Sequence, residues 1–414
     1  MTFRKLYPLP FLFAGASLLG SSALDWPQFR GPSGQGHSSA EMLPTHWSST
    51  ENVSWKKELP GTAWSSPVIG HGKIYLSNAV PSGEGFSLRA LRLDAKSSKV
   101  EWDVEVFRME SAQRIHRKNS HASPTPFLEK DRLYVHFGNR GTACLDLEGK
   151  VVWKKRYDYP PVHGSGCSPV VEGDLLLFSA DGASNPALYA LDKKTGEISW
   201  KTARDSSPSR KFSFCTPLVI DSNGKRQIIS PASDSVFSYD LSGRQLWKLN
   251  YPGGYSVVPR PVFANGLVYV SSGYDRPIIH AIKPDGSGDV TKTHLAWKTD
   301  KNAPRNSSVV VVGRLFFMAA DNGVVSCLDA VTGDLHWRER VSGSCSASLL
   351  HASGRIYLLD EQGKTFVFAA SPEYKLVAEN DLKDRALASI VTADGALFIR
   401  TASALWRIGK DSAR

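Results

Sequence analysis

Hydrophobic and polar positions alternate from Leu188 to Asp192, break at a polar turn, and resume at Ile198 and Trp200. A period of two predicts a half-buried strand on either side of that turn. The turn has the right chemistry: Asp192 and Thr195 can bond turn amides, and Gly196 supplies backbone freedom. Ile198 and Trp200 share one face of the returning strand, where indole burial is a large apolar gain. The same unit of Asp, Gly four residues on and Trp four beyond recurs as Asp329, Gly333 and Trp337. Asp146, Gly149 and Trp153, and Asp240, Gly243 and Trp247, repeat it with a turn one residue shorter. Asp94 and Trp102 keep the spacing with Ser98 in place of the glycine, and Ala281–Trp297 carries an insertion, KPDGSGDVTKTH, in the turn. Trp55 has the second strand without the first.

The tryptophans therefore fall at 55, 102, 153, 200, 247, 297 and 337. A strand-built period of about 40 to 50 residues predicts propeller blades. A second series marks the inner strands: segments 65–77, 122–137, 167–179 and 215–230 open with a small residue and Pro, and 260–271, 308–320, 348–359 and 389–400 complete the set. Proline is tolerated there because the ladder has not yet begun. Eight inner strands predict an all-β, eight-bladed propeller of four-stranded antiparallel blades; seven blades is the alternative if the last segment is incomplete. Residues 387–408 supply three strands and stop, whereas residues 51–59 form a lone strand at the other end. Pairing the two closes the ring and removes the open edges.

Eleven tryptophans and 34 glycines among 414 residues suit short strands and tight turns. Residues 1–23 read as a signal peptide, with Arg4 and Lys5 before an apolar run, Leu9–Leu19, and small residues at Ser21–Ala23. Export to the periplasm or the exterior is expected; with no cysteine near the cleavage point, a lipid anchor is not. Residues 24–50 form a Pro/Gly-rich lead-in that clamps the rim or floor of the ring, and 51–414 form a single propeller domain. The net charge of +10 is scattered rather than gathered in runs, which argues against nucleic acid. Cysteines at 144, 167, 215, 327 and 345 leave at least one thiol unpaired; Cys167 and Cys215 are the one pair the repeats bring close, with buried free thiols the alternative.

Segments preceding inner strands converge on the channel mouth. They carry His116, His121, His163, Arg210, Lys211, Tyr255, Arg260, Arg305 and Arg385 as candidate ligand-binding residues, with Thr62, Trp64, Arg114, Lys118 and Asn306 beside them. Several cations aimed at one concavity attract carboxylates, sulfates or phosphates; alternatively, these long side chains splay into solvent. No nucleophile or carboxylate recurs beside the histidines, so no catalytic residue is assigned. The turn aspartates read as structural rather than metal-binding, and Trp55, Trp102, Trp153, Trp200, Trp247, Trp297 and Trp337 as docking residues between blades.

The unit A-x-D-x-x-T-G-x-x-x-W, matched at Ala190, Asp192, Thr195, Gly196 and Trp200, resembles the tryptophan-docking repeat of pyrroloquinoline quinone (PQQ)-like propellers. That family includes quinoprotein alcohol dehydrogenases and the non-enzymatic lipoprotein of the outer-membrane barrel assembly machinery. The resemblance implies two main functions, besides a contact with envelope proteins along the propeller rim, with no small ligand, like that of the assembly lipoprotein. One is a binding scaffold, expected as a monomer with no cofactor and no transmembrane span in the mature chain, recognising an envelope or extracellular protein, an anionic small molecule or a glycan. The other is a PQQ-dependent alcohol or sugar dehydrogenase holding PQQ and Ca²⁺ in the channel. Adjacent cysteines of the quinoprotein type and a C-x-x-C-H haem signature are both missing, and no Ca²⁺-binding set matches.

Overall fold

The computed structural model describes residues 25–409; the segment read as a signal peptide lies outside them. Eight antiparallel sheets follow one another along the chain. Blades 1 to 7 span residues 68–109, 127–155, 170–203, 218–250, 262–299, 310–340 and 350–381. Blade 8 takes three strands from 391–408 and its outer strand from Val53–Glu58. That strand pairs with Ala404–Ile408, setting Lys56 opposite Trp406 and Glu58 opposite Ala404. The predicted closure is thus present, and the count is eight.

Each blade locks onto the next through the repeated turn. Asp192 Oδ1 accepts the amides of Lys194 and Thr195, and Asp329 Oδ1 those of Val331 and Thr332. The tight turn so formed leaves one carbonyl and one glycine facing the preceding blade. Trp153 Nε1 donates to Lys193 O at 2.9 Å, and a Cβ on Gly196 would lie 2.5 Å from the same indole. Trp102 repeats the pattern on Leu147 and Gly149, Trp200 on Leu241 and Gly243, and Trp297 on Ala330 and Gly333. Trp55 docks on Ala95 and Trp337 on Ser371 through the same donor. Beside each of Trp102, Trp153, Trp200, Trp247, Trp297 and Trp337 the strand pairing slips by one residue. Such a bulge re-aims a side chain locally.

Trp247 departs from the pattern. The inserted turn of blade 5 folds back so that Gly288–Asp289 adds a fifth, parallel strand to blade 4, with Trp247 opposite Gly288. The indole is fully buried, and its Nε1 donates to Gln227 Oε1, which also accepts from Ser238 Oγ. Gln227 in turn donates to Pro284 O in the insertion.

A belt of short hydroxyls lines the channel just before the inner strands. The Ser66 amide donates to Thr125 Oγ1, the Thr125 amide to Ser168 Oγ and the Ser168 amide to Thr216 Oγ1. Arg260, Ser308 and Ser348 continue it to Ser308, Ser348 and Ser389, and Ser66 Oγ donates to Ser389 O. One belt position is therefore an arginine. All five cysteines are buried free thiols, so Cys167 and Cys215 are not bonded to each other; burial raises both thiols' pKa. Among the described residues no helix is long and apolar enough to cross a membrane.

Candidate binding site

The lead-in closes one mouth of the channel. Trp26 exchanges two backbone hydrogen bonds with Ile69 of blade 1, and Leu128 of blade 2 donates to Pro27 O. Ser38 and Gly36 bond His351 of blade 7 through the backbone, and Ser38 Oγ meets Thr392 of blade 8 at 2.7 Å. These contacts lie along or at the ends of the inner strands, so this mouth is the floor.

Two fully buried arginines pin the floor. Arg30 Nη1 donates to Val309 O of blade 6 at 2.7 Å and its Nη2 to Gln35 O. Arg260, the belt exception, reaches Phe29 O at 2.6 Å, Gln28 Oε1 at 3.1 Å and Pro217 O at 3.2 Å. Burial, reinforced by Arg260's charge, lowers Arg30 to about 9, and burial lowers Arg260 to about 10. Both stay charged at neutral pH, held by carbonyls rather than carboxylates. Sequence position placed Arg260 at the open mouth; its guanidinium instead ties the lead-in to the ring.

The opposite mouth opens into a bowl of about 750 Å³, with Phe29 of the lead-in among its lining residues. Its wall is built from the predicted segments. On the side of blades 4 and 5, Phe212, Phe214, Tyr255 and Tyr274 present aromatic surface, with Phe212 and Tyr255 edge to face at 5.6 Å. His163 packs against Phe212 and against His116. Burial, then His163 and the neighbouring Arg117 and Lys118, keep His116 below the ordinary imidazole pKa. Arg305 lies over Tyr274 at 5.0 Å, and at the rim Arg385 lies over Trp64 at 5.4 Å and Arg210 over Tyr255 at 4.3 Å.

Some of these charges are already matched. Arg210 pairs with Asp275, and hydrogen bonds from Tyr255, with Arg210 beside it, hold that carboxyl below its usual range. Lys118 crosses the bowl from the blade 1–2 connection to Glu361 of blade 7 at 2.6 Å, and Ser346 donates to the same oxygen at 2.7 Å. Burial opposes ionisation of Glu361, but the bonds from Lys118 and Ser346 prevail and lower its pKa. Asp321 accepts from Asn306 and from the Arg305 amide. Arg117, Arg305 and Arg385 form no salt bridge with a carboxylate among the described residues, which leaves the bowl with surplus positive charge.

Besides Arg260, four predicted residues stand elsewhere, among them Arg114, which lines a separate cavity. His121 turns away from the bowl and packs on Phe86 at 4.5 Å. Lys211 is exposed beside Phe212. Thr62 pairs through its amide with Ala79 O. The Lys118–Glu361–Ser346 bridge was not assigned from sequence, because its partners lie 243 residues apart and no repeat relates them. The alternative cofactor finds a poor fit. Among the described residues no three His, Cys, Asp or Glu side chains come together as a metal site, and the carboxylates at and around the bowl, Asp275, Asp321 and Glu361, are occupied by protein donors.

A family described as outer membrane protein assembly factor BamB matches residues 92–289 and 286–395. The BamB of Yersinia pestis is 25% identical over 229 residues, 53% of this chain and 55% of that protein. The BamB of Burkholderia pseudomallei strain K96243 is 25% identical over 176 residues, 42% of each. The chain thus spans about half the length of the curated relatives it matches. Among solved structures, BamB from Moraxella catarrhalis superposes with a TM-score of 0.58 at 12% identity, over 81% of this chain and 95% of that one. A europium-containing methanol dehydrogenase gives 0.54 at 11%, over 84% and 89%; at such identities the likeness concerns the fold alone. With its docking repeats, its closed ring of eight blades and a family match over most of its length, the chain belongs to the outer membrane protein assembly factor BamB family of PQQ-like repeat propellers.

Proposed function

We propose that this chain is an exported, non-catalytic docking scaffold in outer membrane protein assembly, holding an acidic segment of a protein partner in the bowl. The surplus charge of Arg117, Arg305 and Arg385 beside an aromatic wall carries this reading. Guanidinium groups that the protein does not neutralise bind carboxylates, and aromatic faces bury the apolar part of the same segment. The floor, pinned by Arg30 and Arg260, preorganises the bowl so that little ordering is lost on binding. Family membership supports the scaffold role, and the relatives, outer membrane protein assembly factors, supply the assembly setting.

The test is fluorescence anisotropy of a labelled Glu/Tyr-rich peptide against a Lys/Tyr-rich control. The acidic peptide should bind selectively, weaken with salt, and lose at least about tenfold in affinity when Arg305 and Arg385 are both changed to Glu. Equal binding by the double variant, or none by the native chain, overturns the reading. A parallel PQQ titration with Ca²⁺ addresses the dehydrogenase alternative: tight saturable uptake would restore it.

A further inference from the structure

Two connections that wall the bowl also have a far side. In the connection between blades 1 and 2, His116 and Lys118 face the bowl, whereas Arg114, Ile115 and His121 line a second cavity of about 450 Å³. In the connection between blades 2 and 3, His163 faces the bowl while Pro160, Pro161 and Ser165 line that second cavity. The short 3₁₀ turn Gly138–Arg140 supplies another part of its wall. The volume falls within the range of small-ligand pockets.

The charges there are unmatched. The Arg140 guanidinium forms no hydrogen bond or ion pair among the described residues, and its Nε is buried without a partner. Burial, followed by the like charge of Arg156, lowers its pKa. The His121 ring, packed at a tilt against Phe86, has no hydrogen-bond partner among the described residues; burial and then the charge of Arg140 lower its pKa. The one carboxylate lining the cavity, Asp158, is exposed and forms no salt bridge among the described residues. A guanidinium with a free planar fork in a half-enclosed, cationic corner is suited to bidentate recognition of an oxyanion. Ile115, Phe137 and the two prolines give the wall one apolar side, next to the polar Gln113, Asn139 and Ser165.

We propose that this cavity binds a small organic anion, its acid group held by Arg140 and His121 and its apolar body lying along Ile115, Phe137 and Pro160. The site is separate from the bowl and stands whether or not the bowl binds a protein segment. Benzoate is a suitable probe, with benzyl alcohol and inorganic phosphate as controls, read by calorimetry and by the His121 imidazole resonances. Benzoate should saturate and shift His121, while the controls bind at least about tenfold more weakly. Arg140→Gln and His121→Gln should each weaken benzoate by about tenfold or more, the loss expected for a charge-assisted hydrogen bond. Arg140→Lys, keeping charge without the fork, should fall between. The bowl variant with Arg305 and Arg385 changed to Glu should bind benzoate normally. No saturation by the native chain, wild-type affinity in folded Arg140→Gln and His121→Gln variants, or phosphate binding as tight as benzoate overturns the proposal.

Discussion

At the scale of single residues, the docking turn shows how one glycine can serve two demands. Gly196 has φ +75° and would place a Cβ 2.5 Å from Trp153, whereas Gly224 has φ +74° with open space beside it. Gly224→Ala should therefore cost only the left-handed backbone penalty, about 1–2 kcal/mol. Gly196→Ala should cost about 1–3 kcal/mol more, because an indole must also move. Urea unfolding of the pair measures the difference, and equal losses would show that the indole contact is slack. This level was largely legible in the sequence, since Asp192, Gly196 and Trp200 are local and repeat. Arg260 was legible only in part. Its place before a proline matches Ser66, Thr125, Ser168 and Thr216, but nothing local says that it points down to Phe29 rather than out of the mouth. His121 and His116 are five residues apart, yet the loop carrying them divides two cavities; spacing along a loop does not encode which side each residue faces.

At the scale of elements, the strands followed from alternation, but two irregular segments took shapes that alternation does not describe. The insertion in blade 5 was visible as an interruption, and its return as a parallel strand beside Trp247 depends on a distant edge being free. The lead-in was expected to clamp the ring; its seat depends on polar contacts such as His37 Nδ1 to His351 Nδ1, 3.1 Å apart. Burial, then the nearness of His351 and Arg30, lowers His37 to about 4. With an unfolded imidazole near 6.5, the unfolded chain binds more protons between those values. Stability from this contact is complete above about pH 6.5 and is lost as pH falls toward about 4. Thermal unfolding across that range should show the decline, and His37→Gln should flatten it. An unchanged slope in the variant would assign the decline to other groups.

At the scale of the whole molecule, ring closure joins residues at opposite ends of the chain. Removing 51–59 leaves the Ala404–Ile408 strand as an open edge and takes away Trp55, which docks on blade 1. The truncated chain should melt much earlier and self-associate through that edge, as calorimetry and size-exclusion chromatography would show. Near-native melting of the monomer would mean that closure contributes little.

The lead-in bears on timing as well as on shape. It is synthesised before any blade, yet its described contacts reach blades 1, 2, 5, 6, 7 and 8, and the closing strand next to it waits for Ala404–Ile408. Neither segment can reach its final place until nearly the whole chain is available. Contacts of such long sequence separation fold slowly. The native ring is therefore reached only at the end of synthesis, and the chain stays open until its last blade has followed.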